Sequence, residues 1–488
     1  MRRAFLFVLT AFLVSGCSLL FPFEDCNTDS DCTLGQVCSS GICSKNTGSN
    51  LLLTPPCQKI YGVSELEAKS DNVYLLASIL PYTGELATYG PDIDKAIELA
   101  VEQINQSGGV LGTKIGVISC DSATDASVAI KAAQNLVDTG RIAGIIGAAA
   151  SSITIEIFNA VAHDAGVLVM SPAATSTAIT NVVDDDLLWR TPPSDAGQGA
   201  AIAALARSQN HSTLAVVNRN DTYGNALEKE IRTAWCATVP AESNCSNSYL
   251  SRSYGNNSDP KAGQTSTLTD ITNFEPDVVV LVAFEEDGVA FLKLADNTNL
   301  KHFILSDGIK STTVLNEITN NELLCNIIGT NAADPSGDTY NSFALDFEKR
   351  WGTTPGAYTA HAYDAGYLMA YAIAAAAKPP EELTGADLSA GLKRLSSGNN
   401  VNVGNFAYNG VPQTLWNNPA ATIDFAGASG ALDFDNSTGE ADSSVEGWYF
   451  DLSTKSIKSA GVIYDENGTF IDPTLPNNDK GGSPTCGE

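Results

Sequence analysis

From Val73 onward the chain alternates between short apolar runs and longer stretches in which apolar residues recur every three or four positions. Val73–Leu80, Lys114–Ser119, Ile142–Gly147 and Val167–Met170 read as strands, with helices expected at Asp92–Gln106, Ala126–Val137 and Ser151–Asp164. In the first of these helices the apolar positions are Ile93, Ala96, Ile97, Ala100, Val101 and Ile104, a helical period. Strands apolar on both faces and separated by amphipathic helices predict a parallel sheet covered on both sides. Two prolines in Trp189–Ser194 break the rhythm, and a second series follows. It has helices at Ala196–Ser208, Gly224–Ala237 and Asp287–Asp296, and strands at Leu214–Val217, Asp277–Phe284 and His302–Leu305. Ala241–Gly263 reads as a polar, loop-rich insertion. After Cys325–Thr330 the pattern predicts helices at Tyr340–Trp351, Thr359–Ala377 and Glu382–Leu395, a Gly/Asn/Pro-rich region, and an aromatic strand at Glu446–Asp451. Two α/β halves of comparable length imply two lobes, and ligands of such sheets bind at the carboxyl ends of the strands.

Ile145–Thr177 carries the candidate chemistry. A buried strand runs into a Gly/Ala/Ser turn, a helix opens at Ser151-Ser152, and a second strand ends in Ser171-Pro172-Ala173-Ala174-Thr175. Two strand ends thus present hydroxyls, small residues and bare N–H groups on one sheet edge. One of them opens a helix, whose unpartnered first N–H groups favour an anion. This is a carboxylate-sized receptor without a catalytic base, and it points to binding instead of turnover. The four histidines (His163, His211, His302, His361) stand in no metal or triad spacing, and G-x-S-x-G and H-E-x-x-H are absent. The first strand–helix turn reads Tyr82-Thr83-Gly84-Glu85, with no dinucleotide fingerprint. No cofactor is expected.

Residues 1–16 are read as a signal segment. Arg2-Arg3 supply positive charge, Ala4–Val14 a short apolar run too brief to span a bilayer, and Val14-Ser15-Gly16-Cys17 a small-residue cleavage site. The cysteine at that point resembles a bacterial lipobox, which implies lipidation at Cys17 and a periplasmic or cell-surface protein held to the membrane by lipid. Ten of the 11 cysteines remain, an even number that suits an oxidising compartment. Cys26, Cys32, Cys38 and Cys43 fall in a stub at 17–56 that holds almost no core-forming residues, and two bridges within it would supply order. A zinc module lacks the usual close cysteine pairing there. A calcium loop beginning at Asp25, Asn27, Asp29 and Asp31 would need glycine at Ser30 and glutamate at Gln36. Cys236 and Cys245 are expected to close a local loop; Cys57, Cys120, Cys325 and Cys486 allow three pairings. Thr47–Pro56 reads as a linker, and 472–488 as a C-terminal tail pinned by Cys486. The net charge of −29 disfavours nucleic acid and anionic lipid as partners.

Taken in order, ten segments make the chain resemble the type I periplasmic binding proteins, in their leucine/isoleucine/valine-binding branch. They are residues 78–90 (SILPYTGELATYG), 104–121, 145–152 (IIGAAASS), 169–175 (VMSPAAT), 189–199 (WRTPPSDAGQG), 216–227 (VVNRNDTYGNAL), 277–288, 303–309 (FILSDGI), 361–373 and 430–440 (GALDFDNSTGE). The resemblance covers about residues 72–465. It implies an α/β fold of two Rossmann-like lobes joined by three crossings, near Thr191–Ser194, Gly329–Asp334 and Ala431–Ser444, with the ligand cleft between them. Lobe 1 would comprise 72–191 plus 333–435, and lobe 2 194–329 plus 443–465.

The resemblance also implies a site for an amino acid or similar small zwitterion. Ser151, Ala173 and Thr175 fall where the α-carboxylate is held, and Asp307 where a lobe 2 carboxylate takes the α-ammonium. Tyr223 falls where lobe 2 closes on the ligand, Phe284 where a ring covers it, and Tyr89 beside the ligand's side chain. It implies no metal, a membrane permease of an ABC transporter as partner, and a monomer. Where some relatives have a cysteine to pair with one near position 120, this chain has Ala150, so Cys120 turns elsewhere, with Cys57 a candidate. Asp307 is shorter than the glutamate of the best-known members, and Phe284 lacks a hydroxyl. A second reading keeps the scaffold for a ligand-sensing or surface interaction lipoprotein without a transporter.

Overall fold

The structure is a computed structural model that describes residues 36–39, 42–45, 53–238, 245–255, 259–333, 337–404, 410–441, 443–465 and 468–472. The chain forms two compact units, 1–48 and 49–488. In the first, strands β1 (Gln36–Ser39) and β2 (Ile42–Lys45) make an antiparallel hairpin whose register sets Cys38 opposite Cys43. Cys17, Cys26, Cys32, the signal segment and the tail beyond Asp472 lie outside the described residues.

The second unit opens with β3 (Cys57–Tyr61) and α1 (Glu65–Ala68), which the apolar pattern does not single out. The expected alternation then follows: β4 (Val73–Leu80), α2 (Gly90–Gln106), β5 (Lys114–Asp121), α3 (Ala126–Val137), β6 (Gly144–Gly147), α4 (Ser151–Ile157), β7 (Leu168–Ser171) and β8 (Leu188–Arg190). These strands form a six-stranded sheet in the order β3-β5-β4-β6-β7-β8, parallel throughout except for β3 at its edge. The disulfide Cys57–Cys120 ties that edge strand to β5. The helix expected to run unbroken to Asp164 changes to π geometry at Phe158–Ala162.

The chain then crosses to a second sheet built from α5 (Asp195–Ser208), β9 (Leu214–Arg219), α6 (Thr222–Ala237), β10 (Tyr249–Tyr254), α7 (Gln264–Phe274), β11 (Val278–Val282), α8 (Glu285–Ala295), β12 (Phe303–Leu305), α9 (Thr312–Glu317), α10 (Asn321–Cys325) and β13 (Ile327–Ala332). Its order is β10-β9-β11-β12-β13, all parallel. Here the structure departs from the sequence reading: the polar insertion holds strand β10, and α7 follows it. β10 (YLSRSY) is an edge strand with exposed or half-exposed side chains in its middle, so it shows no apolar run. α7 (QTSTLTDITNF) is rich in threonine, a weak helix former, and is held by Leu268 and Ile271 in the core. The loop bridged by Cys236–Cys245 joins α6 to this strand.

Buried strands explain why the apolar runs are continuous. Val278, Val280 and Val282 of β11 join one core cluster with Ile202, Leu205 and Ile231 of α5 and α6. Val279 and Leu281 face the opposite side, in a cluster with Ile271, Val289 and Phe291. Alternate residues of one strand are thus buried on opposite faces.

The chain returns to the first lobe through α11 (Asp338–Trp351), α12 (Thr359–Ala376) and α13 (Gly385–Leu392), the last shorter than the helix expected at Glu382–Leu395 and preceded by a 3-10 turn at Pro380–Glu382. α12 is buried along nearly its whole length and packs on α2 and α13. The described part of the Gly/Asn/Pro-rich region has regular elements: β14 (Asn399–Asn402), β15 (Ile423–Gly427) and β16 (Gly430–Ala431) make a small sheet, α14 (Val411–Asn417) lies between β14 and β15 in sequence, and the ribbon β17 (Phe434–Asp435) and β18 (Glu440–Ala441) follows. A third crossing leads to β19 (Val445–Asp451) and β20 (Ser456–Tyr464), antiparallel additions that complete a seven-stranded second sheet. Two crossings are tied together where the Ala333 N–H donates to the Ser444 carbonyl at 2.8 Å. Among the described residues no helix is long and apolar enough to cross a membrane.

Candidate functional site

The carboxyl ends of both sheets face one cavity. Its wall on lobe 1 is Leu86, Tyr89, Ile93, Ala149, Ala150, Ser151, Ala173, Thr175 and Tyr358; on lobe 2 it is Tyr223, Phe284, Asp307 and Gly308. All seven residues named from the sequence are present, brought together from segments up to 218 positions apart (Tyr89 to Asp307). Local geometry explains each placement. Ser151 is the first residue of α4, whose start has Ala150 in extended backbone and no side-chain cap. Its Oγ accepts from the Ser176 N–H at 3.3 Å. Ser171 ends β7, donates to the Ala148 carbonyl at 2.6 Å and accepts from the Ala174 N–H at 2.9 Å. These bonds hold the Ala173–Thr175 turn beside the start of α4, so hydroxyls and small residues share one wall.

The opposite wall is acidic and aromatic. Asp307 begins the 3-10 turn after β12 and is buried. Its Oδ1 accepts from the Tyr223 hydroxyl at 2.6 Å, and its Oδ2 accepts from the hydroxyl of Tyr358 on the other lobe. Phe284 stacks on Tyr223 with ring centroids 5.6 Å apart and planes 14° from parallel. Its other neighbour is the Arg219 guanidinium, 3.5 Å from the ring centroid. Burial, and then the Asp307 carboxylate, pushes the Tyr223 and Tyr358 phenols well above their ordinary range. Both therefore stay neutral donors.

Two residues of consequence escape the sequence reading. Asp195, the first residue of α5, is fully buried beside Thr175, and among the described residues neither carboxylate oxygen is well hydrogen-bonded. Burial and the neighbouring Asp307 charge raise its pKa well above the carboxylate range. In sequence it is an acidic residue after a serine cap, which helix electrostatics alone would explain. Tyr358 precedes α12 with φ of 63°, a backbone conformation rare for a bulky residue. Nothing in its sequence neighbourhood signals that.

Several bonds span the cleft. The Tyr89 hydroxyl donates to the Gly308 carbonyl at 3.2 Å, Ser176 to the Thr222 carbonyl at 3.0 Å, and Thr177 to Glu230 at 3.2 Å. At the mouth Arg219 pairs with Glu85 of the first loop at 2.7 Å, while its other nitrogens meet Asp221 and Asp287. The lobes are closed on each other. Among the described residues no cationic side chain lines the cavity; one carboxylate, Asp307, does, and Asp195 is buried near it. Among the described residues no cluster of histidine, cysteine or acidic side chains could hold a metal ion.

Comparison with known proteins agrees with this architecture. The chain is 28% identical over 234 residues to the Leu/Ile/Val-binding protein homolog 7 of Brucella abortus, covering 46% of this chain and 56% of that protein, so it spans little more than half of that relative. It is 27% identical over 327 residues to the Leu/Ile/Val-binding protein homolog 1 of the same organism, covering 62% and 79%. A leucine-binding protein from Thermotoga maritima shares the fold, with a TM-score of 0.63 and 19% identity over 80% of this chain and 98% of that one. A profile for periplasmic binding proteins matches residues 76–410, well over half of the sequence. With two lobes, three crossings and a cavity between the strand ends, the chain belongs to the periplasmic binding protein family.

Proposed function

We propose that the protein is an extracytoplasmic solute receptor that binds an amino acid or similar small zwitterion by lobe closure and delivers it to the permease of an ABC transporter. The observation that carries this reading is the polarity of one cavity. Neutral donors from Ser151 and the Ala173–Thr175 turn face the Asp307 carboxylate across a gap lined otherwise by apolar and aromatic groups, with Asp195 buried beside Thr175. A zwitterion needs donors on one side and an anion on the other, and each charge-assisted hydrogen bond contributes about 1.5–3 kcal/mol.

In this reading Ser151, Ala173 and Thr175 hold the α-carboxylate through hydroxyls and main-chain N–H groups. Asp307 and Asp195 take the α-ammonium. Tyr223 and Phe284 form the lid on the lobe 2 side, and Tyr89 borders the ligand's side chain together with Leu86, Ile93 and Tyr358. The absence of a cationic liner disfavours a second carboxylate on the ligand and favours a neutral, apolar side chain. That agrees with the relatives whose names give leucine, isoleucine and valine as ligands. The mature protein would be a monomer carrying lipid on Cys17. A thermal-shift screen against amino acids, amides and sugars tests the substrate class, because a ligand bound only by the folded state at a hundredfold excess over Kd stabilises it by about 2.7 kcal/mol. Preference for a neutral sugar over every amino acid would overturn the reading.

A further inference from the structure

Lobe 2 carries a second cavity, which shares no lining residue with the cleft. Ala200, Ala203 and Ala204 of α5 form its floor, Tyr464 and Phe470 its aromatic side, and Arg207 completes it. The short alanine side chains leave the space open, and Tyr464 and Phe470, bridged to each other, frame it. Among the described residues few large apolar side chains are exposed, and two of them, Val462 and Ile471, adjoin this frame in sequence.

Arg207 makes the groove more than an apolar dent. Its guanidinium lies 3.3 Å from the centroid of the Trp235 ring, a stacked position. The buried Nε has no partner, and among the described residues no hydrogen bond or ion pair reaches the rest of the group. The seven other described arginines all have partners: Arg190, Arg219, Arg232, Arg252 and Arg350 with carboxylates, Arg141 and Arg394 with main-chain carbonyls. In a chain with 56 acidic residues against 27 basic ones, an arginine left with neither an acid nor a carbonyl is the exception. An arginine fork suits a carboxylate, which it can hold through two parallel bonds.

We propose that this groove binds a small amphipathic monocarboxylate, with its apolar body against the alanines and aromatic rings and its carboxylate on Arg207. The site is separate from the cleft, and the proposal does not depend on what the cleft binds.

The test is calorimetry on the purified mature protein with sodium dodecanoate, and with dodecanol as the uncharged counterpart. Dodecanoate is expected to bind at one site and dodecanol much more weakly. Arg207→Gln should weaken dodecanoate about tenfold or more, the loss of a charge-assisted contact. Arg207→Lys, which keeps the charge and loses the planar fork, should fall between the two. Ala204→Trp, which fills the floor, should abolish binding. Circular dichroism melts of each variant establish that it is folded, and the two Arg207 variants decide the matter if Ala204→Trp does not fold. No binding of dodecanoate, equal binding of acid and alcohol, unchanged affinity in Arg207→Gln, or retained binding in a folded Ala204→Trp would each overturn the proposal.

Discussion

At the scale of single residues, the site rests on a contrast between two carboxylates. Asp307 already has two tyrosine hydroxyls as partners, whereas Asp195 is wholly enclosed beside Thr175 with no well-formed hydrogen bond among the described residues. Removing Asp307 would leave a ligand ammonium facing an incomplete set of acceptors, so Asp307→Ala should weaken amino-acid binding by about 2–5 kcal/mol. Thr175→Ala removes a neutral hydroxyl and should cost less, about 1.5–3 kcal/mol. Titration calorimetry on both variants and the parent checks the order, and equal affinity in the parent and Asp307→Ala would remove Asp307 from the site.

Asp195 gives a second expectation. Burial first, and then the Asp307 charge, raises its pKa in the ligand-free protein. An ammonium arriving beside it favours the charged form and lowers that pKa, so binding should release a proton. Affinity should therefore rise with pH across the range in which Asp195 is protonated in the free form and ionised in the complex. The binding enthalpy should differ between phosphate and Tris buffers in the parent, and the difference should vanish in Asp195→Asn. A buffer-independent enthalpy in the parent would show that Asp195 does not titrate on binding.

Among the elements, the least expected is β3, an antiparallel strand added to the edge of a parallel sheet and fixed there by Cys57–Cys120. The bridge closes a loop with a sequence separation of 63. Replacing both cysteines by alanine should lower unfolding stability by about 2–4 kcal/mol, measured by urea titration, because the open chain gains conformational freedom. The cleft should still bind ligand, since no wall residue belongs to β3.

Legibility at this scale follows burial. β4, β6, β7, β9 and β11 have no exposed residue, and their apolar runs announce them. The edge strand β10, the threonine-rich α7 and the small sheet of β14, β15 and β16 are half exposed. Their patterns are mixed, and tertiary contacts decide them.

For the molecule as a whole, lobe closure is the functional variable. The Glu85–Arg219 pair and the Tyr358–Asp307 hydrogen bond join the lobes directly. A double variant, Glu85→Gln with Tyr358→Phe, should shift the ligand-free protein toward an open form and increase its radius of gyration in small-angle scattering. Its affinity should drop, since the ligand would then have to drive closure unaided. An unchanged radius and affinity would mean that these bonds do not set the equilibrium. On a cell, Cys17→Ser should release the protein from the membrane fraction. A mature N-terminus other than Cys17, read by mass spectrometry, would refute the lipid anchor.

The division between sequence and structure is physical. The sequence by itself determined the α/β alternation, the second series after Trp189–Ser194 and the ordered motifs that nominated the seven wall residues. Strand burial and turn chemistry are local properties, written in consecutive residues. Only the tertiary structure decided that Tyr358 reaches Asp307, that Arg219 reaches Glu85, and that the Asp195 carboxylate is left without a well-formed hydrogen bond among the described residues. The first two are contacts between lobes, made by residues 51 and 134 positions apart, and no periodicity records them. The third depends on every neighbour that could have satisfied the carboxylate, and those neighbours are fixed only when the two sheets close on each other.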